Sequence, residues 1–204
     1  MGRHPLVDRQ VALDRIMRRF WATGYEATSI DDLLEASGMH RGSFYRTFGD
    51  KQQAFLAALD RYMNLAADEH FVPSVEGRGS PTRRLLQLLY LRLDAALGVD
   101  GSRPGCLIVN TAIEVAPHDP ATREVVSGGL GAVRDAIARL IRDAVEAGEV
   151  DPAVDTELAC DQLFTLLQGV NVLARAGGER RHLRRLLQQT LQTTLEPTTS
   201  RSSS

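Results

Sequence analysis

Residues 28–51 carry hydroxyl, guanidinium and ammonium side chains on both sides of a short glycine turn. Such groups donate hydrogen bonds to phosphate oxygens, and an arginine can also bind a guanine edge through two parallel bonds. A glycine among them, which has no side chain, would let the protein backbone approach the duplex closely. These residue types at this spacing predict contact with duplex DNA. The candidates are Thr28, Ser29, Arg41, Gly42, Ser43, Tyr45, Arg46, Thr47 and Lys51.

The candidates are expected to act in different ways. Arg41 can reach a guanine edge or a phosphate, whereas Tyr45 and Arg46 are placed to hold the phosphate backbone. Thr28 or Ser29, at a helix start, and Lys51, at the start of a later helix, also suit phosphate. The short hydroxyls of the set could instead bond to their own helix.

A second group of polar residues interrupts otherwise apolar helices in the later part of the chain. Polar groups buried in a helical bundle need partners, and a small-molecule ligand can supply them. A neighbouring helix end or a second copy of the chain could do so equally well, and the sequence leaves these alternatives open. The predicted ligand pocket consists of Tyr90, Arg92, Cys106, Asn110, Glu114, Phe164, Gln168 and Asn171.

Cys106 follows a glycine at a helix start, where the helix dipole can lower a thiol pKa and make the thiol reactive. The other interpretation, a small buried packing residue, stays open beside it. The chain contains two cysteines and five histidines, and their spacing matches no metal site. No serine or cysteine lies in a recognisable catalytic motif. We therefore expect no metal, no cofactor and no enzymatic activity.

The net charge of the chain is −2. A protein with this charge cannot bind DNA through bulk positive charge, so the contact must be local. Residues 1–63 contain nine Lys and Arg against eight Asp and Glu, a difference of one positive charge. Specificity must therefore depend on a few placed residues.

Two short helices must position the DNA-contacting group. Ser29 can cap the first of them, with Asp32 three residues later, and Gly38 can close it in the left-handed conformation. In the second, from residue 41 to 48, Phe44 and Phe48 are four residues apart and can face the core. The spacing predicts a helix-turn-helix with a polar outer face.

The hydrophobic pattern predicts about nine helices and no strand, hence an all-α fold. We expect an N-terminal three-helix DNA-binding domain and its connecting helix in residues 1–71, with that helix running from Asp50 to about His70. A larger helical bundle for ligand binding and dimerisation is expected in residues 72–196, and a disordered tail in 197–204.

Local details of the bundle follow from glycine, proline and leucine positions. Residues 72–80 are expected to form a loop because they combine Pro, Gly and Ser without periodicity. The long helix from Asp119 to about Ala147 is expected to be weakly interrupted at Gly128 and Gly129. Apolar stripes on the last two helices indicate a surface for homodimer formation.

The stretch YEATSIDDLLEASGMHRGSFYRTFGDKQQAF resembles the TetR family of bacterial transcriptional repressors. Three positions depart from the family pattern: Leu34 stands where the family often has an alanine, and Arg46 with Thr47 replaces a common pair such as two histidines. The residues that carry the resemblance are Tyr25, Thr28, Ala36, Ser37, Gly38, Gly42, Ser43, Phe44, Tyr45, Phe48, Gly49 and Lys51. The resemblance implies a homodimer that binds operator DNA and has no enzymatic activity.

The sequence therefore predicts a ligand-responsive, DNA-binding transcriptional regulator, most simply a repressor. A small-molecule effector or a thiol-reactive signal would shift the connecting helix and change the spacing of the two DNA-reading helices. The alternatives are a DNA-binding structural protein without an effector and a helical thiol enzyme. No apolar stretch suits a membrane span or a signal peptide, so we expect a cytoplasmic protein. The effector and the operator sequence do not follow from the residues.

Overall fold

The computed structural model describes residues 8–98 and 101–196, and every regular element in those two ranges is helical. The predicted all-α fold is confirmed. The helices are α1 (Arg9–Thr23), α2 (Ile30–Ser37), α3 (Arg41–Phe48), α4 (Lys51–Ala66), α5 (Val72–Glu76), α6 (Pro81–Leu97), α7 (Leu107–Glu114), α8 (Pro120–Glu146), α9 (Thr156–Arg175) and α10 (Arg180–Thr194). A π-helical turn (Ala67–Phe71) joins α4 to α5, so the described residues form nine separate helices.

The chain divides into two compact units. The first unit contains Met1–Ala66 and Cys106–Gly129, and the second contains Ala67–Gly105 and Leu130–Ser204. The chain therefore returns to the first unit for α7 and the beginning of α8. The sequence pattern did not predict this return. The assignment of DNA binding to residues 1–71 and of ligand binding to residues 72–196 stays a prediction, and the predicted tail at 197–204 lies outside the described residues.

The core of the first unit is built from aromatic and aliphatic side chains of its first four helices. Helix α1 packs against α2 and α4, and α3 packs against α4. Phe20, Leu33, Phe44 and Phe55 are almost completely buried. The rings of Phe20 and Phe55 meet edge to face, with centroids 4.9 Å apart, in the geometry that aromatic pairs prefer. This core fixes the orientation of the two short helices.

The second unit has its own apolar core, in which α6, α9 and α10 pack against one another. Leucines at intervals of four on α10 (Leu183, Leu187 and Leu191) are buried there, together with Leu163 and Leu167 of α9. The apolar stripes that the sequence shows on the last two helices therefore face this core, and the prediction that the stripes themselves form the homodimer surface was wrong. Along the described residues, no helix combines the length and the apolar character that crossing a bilayer requires.

Residues 72–80 were expected to form a loop, and the structure shows that this prediction was wrong for Val72–Glu76, which form α5. Pro73 lies in the first helical turn, where its missing N–H has no helical acceptor to lose. The Arg84 guanidinium donates to the carbonyl oxygens of Ser74 and Val75, at 3.3 and 2.6 Å. These contacts satisfy carbonyls at the end of α5 that its short length leaves unpaired. The preceding helix was expected to run to about His70, and helical structure does continue to Phe71, with π-helical geometry from Ala67 onward.

The expected interruption at Gly128 and Gly129 is absent, since α8 is continuous from Pro120 to Glu146. A Cβ atom on Gly129 would lie 2.9 Å from Met63 Sδ and 3.3 Å from Ile108. Gly129 therefore allows close packing of α8 within the first unit. Nothing lies within 4 Å of a Cβ placed on Gly128.

These two neighbouring glycines should respond oppositely to alanine. We expect Gly128→Ala to raise the free energy of unfolding by about 0.5–1 kcal/mol, because alanine restricts the unfolded chain and favours a helix. Gly129→Ala should lack this gain or lower the stability, because Met63 and Ile108 must move to admit the methyl group. Chemical denaturation of both variants would measure the difference, and equal stabilisation would contradict the close-packing explanation.

Candidate nucleic-acid interface

The helix-turn-helix is fixed by hydrogen bonds at its helix ends. Ser29 Oγ accepts from the Asp32 N–H, and the Asp32 carboxylate accepts from the Ser29 N–H at 2.8 Å, which completes the predicted capping box. Hydrogen bonds from Ser29, together with the Arg19 charge, hold the pKa of the Asp32 carboxyl below its usual value. Gly38 closes α2 with φ of 71°, in the left-handed region that favours glycine.

Helix α3 has a buried face and an exposed face, as its sequence predicts. Phe44 and Phe48 are buried, whereas the Tyr45 side chain is 42% exposed. The Tyr45 ring meets the Phe44 ring edge to face at 5.7 Å, so the buried ring supports the exposed one. Arg46 is exposed, and its guanidinium is 3.4 Å from Ser43 Oγ. Gly42 has open space where a side chain would be.

Arg41 forms an ion pair across the turn that the sequence did not predict. Its Nη2 atom lies 2.5 Å from the Asp31 carboxylate of α2, and the two side chains are 56% and 80% exposed. An exposed ion pair of this kind contributes little to stability. The ion pair is expected to weaken DNA binding. Asp31 pairs with the Arg41 guanidinium that is expected to contact DNA, and it adds a negative charge beside it.

Removing this charge should strengthen DNA binding. We expect Asp31→Asn to raise the affinity for duplex DNA by about threefold to tenfold, since Arg41 is released and repulsion of phosphate is reduced. Glu35→Gln is the matched control, because Glu35 is also exposed on α2 and its loss changes the net charge equally. Fluorescence anisotropy with a labelled duplex at several salt concentrations would compare the variants. Equal affinities for Asp31→Asn and Glu35→Gln would contradict a special role for the ion pair.

Lys51 begins α4 beside an aromatic ring. Its Nζ atom lies 4.3 Å from the centroid of Tyr25, a cation–π contact that limits where the ammonium group can point. The Tyr25 ring also packs against Phe55, with centroids 4.7 Å apart. Burial, followed by the nearby acidic groups Glu26, Asp50 and Asp119, raises the pKa of Tyr25. Asp50 accepts from the Gln53 N–H at 2.8 Å and so caps the start of α4.

Two other predicted DNA contacts are engaged within the protein. Thr28 is completely buried, and its hydroxyl donates to the Gly24 carbonyl oxygen at 2.6 Å. We therefore leave Thr28 out of the proposed contact set. Ser29 is exposed, but its hydroxyl and N–H both bond to Asp32, so a phosphate would have to compete with that carboxylate. Thr47 is half-buried near the end of α3.

The predicted ligand-pocket residues divide between the two units. Tyr90, Arg92, Phe164, Gln168 and Asn171 belong to the second unit, whereas Cys106, Asn110 and Glu114 belong to the first. This division separates residues that the sequence assigned to one bundle. Helix α7 packs on α4, and its last residue, Glu114, contacts the turn before α2.

Arg92 is the charged residue among the predicted pocket residues of the second unit, and it is 4% exposed. Its guanidinium lies 5.4 Å from the centroid of the Phe71 ring and 3.5 Å from His70 Nδ1. Burial, and then the Arg92 charge, lower the pKa of His70 to about 4. The ring is therefore neutral at pH 7. This folded-state pKa is below the ordinary value of 6.5. The folded protein therefore loses the stability that depends on neutral His70 as the pH falls from about 6.5 towards 4.

The remaining second-unit candidates differ in their surroundings. Asn171 is 2% exposed, and its Oδ1 atom has no hydrogen-bond partner among the described residues. Gln168 donates to the Phe164 carbonyl oxygen at 3.0 Å, and Phe164 packs partly against the core. Tyr90 donates to Gln188 at 3.1 Å. Asn171 is therefore the most direct candidate for a ligand hydrogen bond.

The first-unit candidates are held by α4 and by the turn between α1 and α2. Cys106 is 4% exposed, and the Tyr62 hydroxyl lies 3.6 Å from its sulfur. Glu114 accepts hydrogen bonds from the backbone N–H groups of Tyr25 and Glu26, while Asn110 is half-buried on the same helix. Across the described residues, no group of three or more metal-ligating side chains could hold a metal ion.

Two known protein families match this chain. The family described as "Bacterial regulatory proteins, tetR family" matches residues 12–58, which include the helix-turn-helix. The family described as "Tetracyclin repressor-like, C-terminal domain" matches residues 81–190, more than half of the chain. This chain belongs to the TetR family. The resemblance carried by residues 25–55 is confirmed.

Individual TetR-family relatives agree with this assignment. The chain is 28% identical over 187 residues to the HTH-type transcriptional repressor ComR of Escherichia coli, covering 92% of this chain and 87% of ComR. It is 30% identical over 159 residues to the uncharacterized HTH-type transcriptional regulator YezE of Bacillus subtilis, covering 78% and 80%. A cysteine mutant of the TetR family regulator CifR, solved with a 26-base-pair operator DNA, has a TM-score of 0.82 at 28% identity, covering 94% of this chain and 98% of CifR.

The TetR-family chain is thus a DNA-binding transcriptional regulator, and the prediction that it is not an enzyme is confirmed by its relatives. Sequence reasoning missed Asp31 and Tyr25 as neighbours of the proposed DNA contacts. Two acidic residues at the start of α2, beside a surface expected to bind phosphate, could have indicated the role of Asp31. No local pattern could have paired Glu114 with Tyr25, because 89 positions separate them.

Proposed function

We propose that this chain is a homodimeric repressor that binds operator DNA through α3 and releases it when an effector binds. The observation that carries the proposal is the outer face of α3, where Tyr45 and Arg46 are exposed while Phe44 and Phe48 anchor the helix. A rigid helix with this division suits the major groove. The proposed contact set is Ser29, Arg41, Gly42, Ser43, Tyr45, Arg46, Thr47 and Lys51.

The DNA-binding proposal is tested with the fragment upstream of the protein's own coding sequence. We expect this fragment to be retarded in a gel at low salt in the presence of unrelated competitor DNA. The specific affinity should fall steeply with salt, because phosphate contacts release counterions. Absence of a specific complex with a fragment set that covers the neighbouring promoters would overturn operator binding by this chain.

The dimer is proposed to form through the last two helices. Leu158, Val172 and Leu173 of α9 are 54%, 46% and 48% exposed in the single chain. On α10 the exposed residues are chiefly arginine, glutamine and histidine. We infer that α9 supplies the apolar centre of the interface and α10 a polar rim, an arrangement common in protein–protein interfaces.

The effector is proposed to bind in the second unit, against the buried polar groups Arg92 and Asn171. Support comes from the burial of both residues and from the Asn171 Oδ1 atom, which has no hydrogen-bond partner among the described residues. A buried acceptor without a donor lowers the stability of the fold, and a ligand donor would remove that cost. A screen of small molecules for release of the promoter fragment would test this proposal. Released DNA with the wild type but not with Asn171→Leu would support it, and equal release from both would contradict this location.

A thiol-reactive signal acting through Cys106 is the second candidate input. The sulfur is nearly buried, and a buried thiol reacts slowly. Tyr62 links it to Trp21, because the Tyr62 and Trp21 rings meet edge to face at 5.0 Å. N-ethylmaleimide should therefore change the fluorescence of Trp21, the single tryptophan, if the thiol is accessible. DNA release by this reagent in the wild type but not in Cys106→Ser would favour the thiol input.

A further inference from the structure

Glu114, the last residue of α7, binds the turn that leads into the helix-turn-helix. One carboxylate oxygen accepts from the Glu26 N–H at 2.9 Å, and the other accepts from the Tyr25 N–H at 3.2 Å. A carboxylate that accepts two backbone N–H groups forms stronger hydrogen bonds than a neutral acceptor. This contact lies entirely within the first unit.

The close approach of Glu114 depends on the glycine beside the turn. Gly24 has φ of 90°, and a Cβ atom there would lie 2.8 Å from a Glu114 carboxylate oxygen. Residues 25 and 26 lie between α1 and α2, so neither N–H belongs to a helical ladder. Glu114 thereby satisfies two backbone donors that the local chain leaves open.

Contacts connect this turn to Lys51, which is proposed to bind a DNA phosphate. The backbone N–H of Tyr25 bonds to Glu114, and the ring of the same residue faces Lys51 Nζ at 4.3 Å and Phe55 at 4.7 Å. Moving the Tyr25 backbone would therefore move the ring against which the lysine rests. Only one residue, Tyr25, separates the carboxylate from the ammonium group.

A second polar contact joins residues 106–129, the segment that contains Glu114, to the beginning of α4. Asp119 Oδ1 accepts from Gln52 Nε2 at 3.2 Å, and Asp119 Oδ2 accepts from the Thr122 N–H at 2.9 Å. Gln52 is adjacent to Lys51 in the chain. Residues 106–129 therefore hold the Lys51 region through the turn before α2 and through α4 itself. Both ends of this segment continue into the second unit, at Gly105 and Leu130.

We propose that Glu114 is a positioning residue for operator binding, which holds the turn before α2 and, through Tyr25, positions Lys51. With the two hydrogen bonds formed, the turn and Lys51 are held in the arrangement that binds phosphate. This inference rests on the proposed function.

The test compares Glu114→Gln with Glu124→Gln, which removes the same charge from an exposed position in residues 106–129. We expect Glu114→Gln to weaken binding of the upstream DNA fragment by about tenfold, as expected for the loss of a charge-assisted hydrogen-bond pair. Glu124→Gln should bind like the wild type. Amide hydrogen exchange at Tyr25 and Glu26 should accelerate in Glu114→Gln alone.

A double-mutant cycle with Lys51→Ala separates positioning from general stability. If Glu114 acts through Tyr25 on Lys51, the double variant should bind DNA about as weakly as Lys51→Ala alone. Affinities are measured well below the thermal transition, with folding checked by Trp21 fluorescence. Should Glu114→Gln fail to fold, Glu114→Asp retains the charge but shortens the reach, and the same cycle applies.

The failure of this inference differs from a failure of the proposed function. Wild-type protein that does not bind the upstream fragments overturns the function. Wild-type protein that binds, with Glu114→Gln or Glu114→Asp binding equally well, overturns the positioning role. Additive losses in the cycle with Lys51→Ala also overturn it, because they show that Glu114 acts elsewhere.

Discussion

Alanine at both Tyr45 and Arg46 is expected to lower the affinity for operator DNA by about a hundredfold, since each lost phosphate contact costs about 1.5 kcal/mol. Both side chains are exposed on α3, and neither belongs to the core that holds this helix. Phe44 and Phe48 supply that anchoring from the opposite face. The double variant should therefore fold like the wild type and lose function through its surface.

Fluorescence anisotropy with the upstream fragment would measure this loss. The slope of log affinity against log salt should become shallower by about one, because the Arg46 charge no longer displaces a counterion. Arg139→Ala is the matched control, since Arg139 is exposed on α8 in the second unit. Wild-type affinity in the Tyr45 and Arg46 double variant would show that another surface contacts DNA.

Glutamate at both Val172 and Leu173 is expected to convert the protein from a dimer into a monomer. These neighbouring side chains on α9 are nearly half exposed in the single chain, and two opposed pairs of carboxylates would replace apolar contact in a symmetric interface. Light scattering with size-exclusion chromatography should give a mass near 22.4 kDa for the variant. For the wild type we expect twice that value.

The same variant should bind the operator about a hundredfold more weakly, since a monomer occupies one half-site and loses the gain from linking two. Val11→Glu is the control, because Val11 is 44% exposed on α1 and is not part of the proposed interface. A variant that remains dimeric would locate the interface elsewhere. A wild type that is monomeric at micromolar concentration would contradict the homodimer itself.

Sequence reasoning was most successful where structure depends on neighbouring residues. The Ser29 capping box, the left-handed Gly38 and the buried pair Phe44 and Phe48 follow from spacings of three or four residues. Helix ends and helix faces are set by such short-range hydrogen bonds and by periodicity. The same features carried the family resemblance, so the fold class and the regulator class could both be predicted.

Local patterns were misleading where tertiary contacts changed their meaning. Pro73 suggested a loop, yet Arg84 holds the carbonyl end of α5. Gly129 suggested a break, although it allows Met63 and Ile108 to pack closely against α8. In both cases the decisive neighbours are side chains that no helical period identifies.

The sequence by itself determined the helices other than α5, the glycine turn between α2 and α3, and the exposed outer face of α3. The tertiary structure alone decided that residues 106–129 belong with the first unit and that Glu114 binds the turn before α2. The physical reason is the range of the interactions. A cap or a helical stripe is formed by residues within a few positions of each other. The hydrogen bond from Glu26 to Glu114 joins residues 88 positions apart in the sequence, so it can form only after the whole first unit has packed.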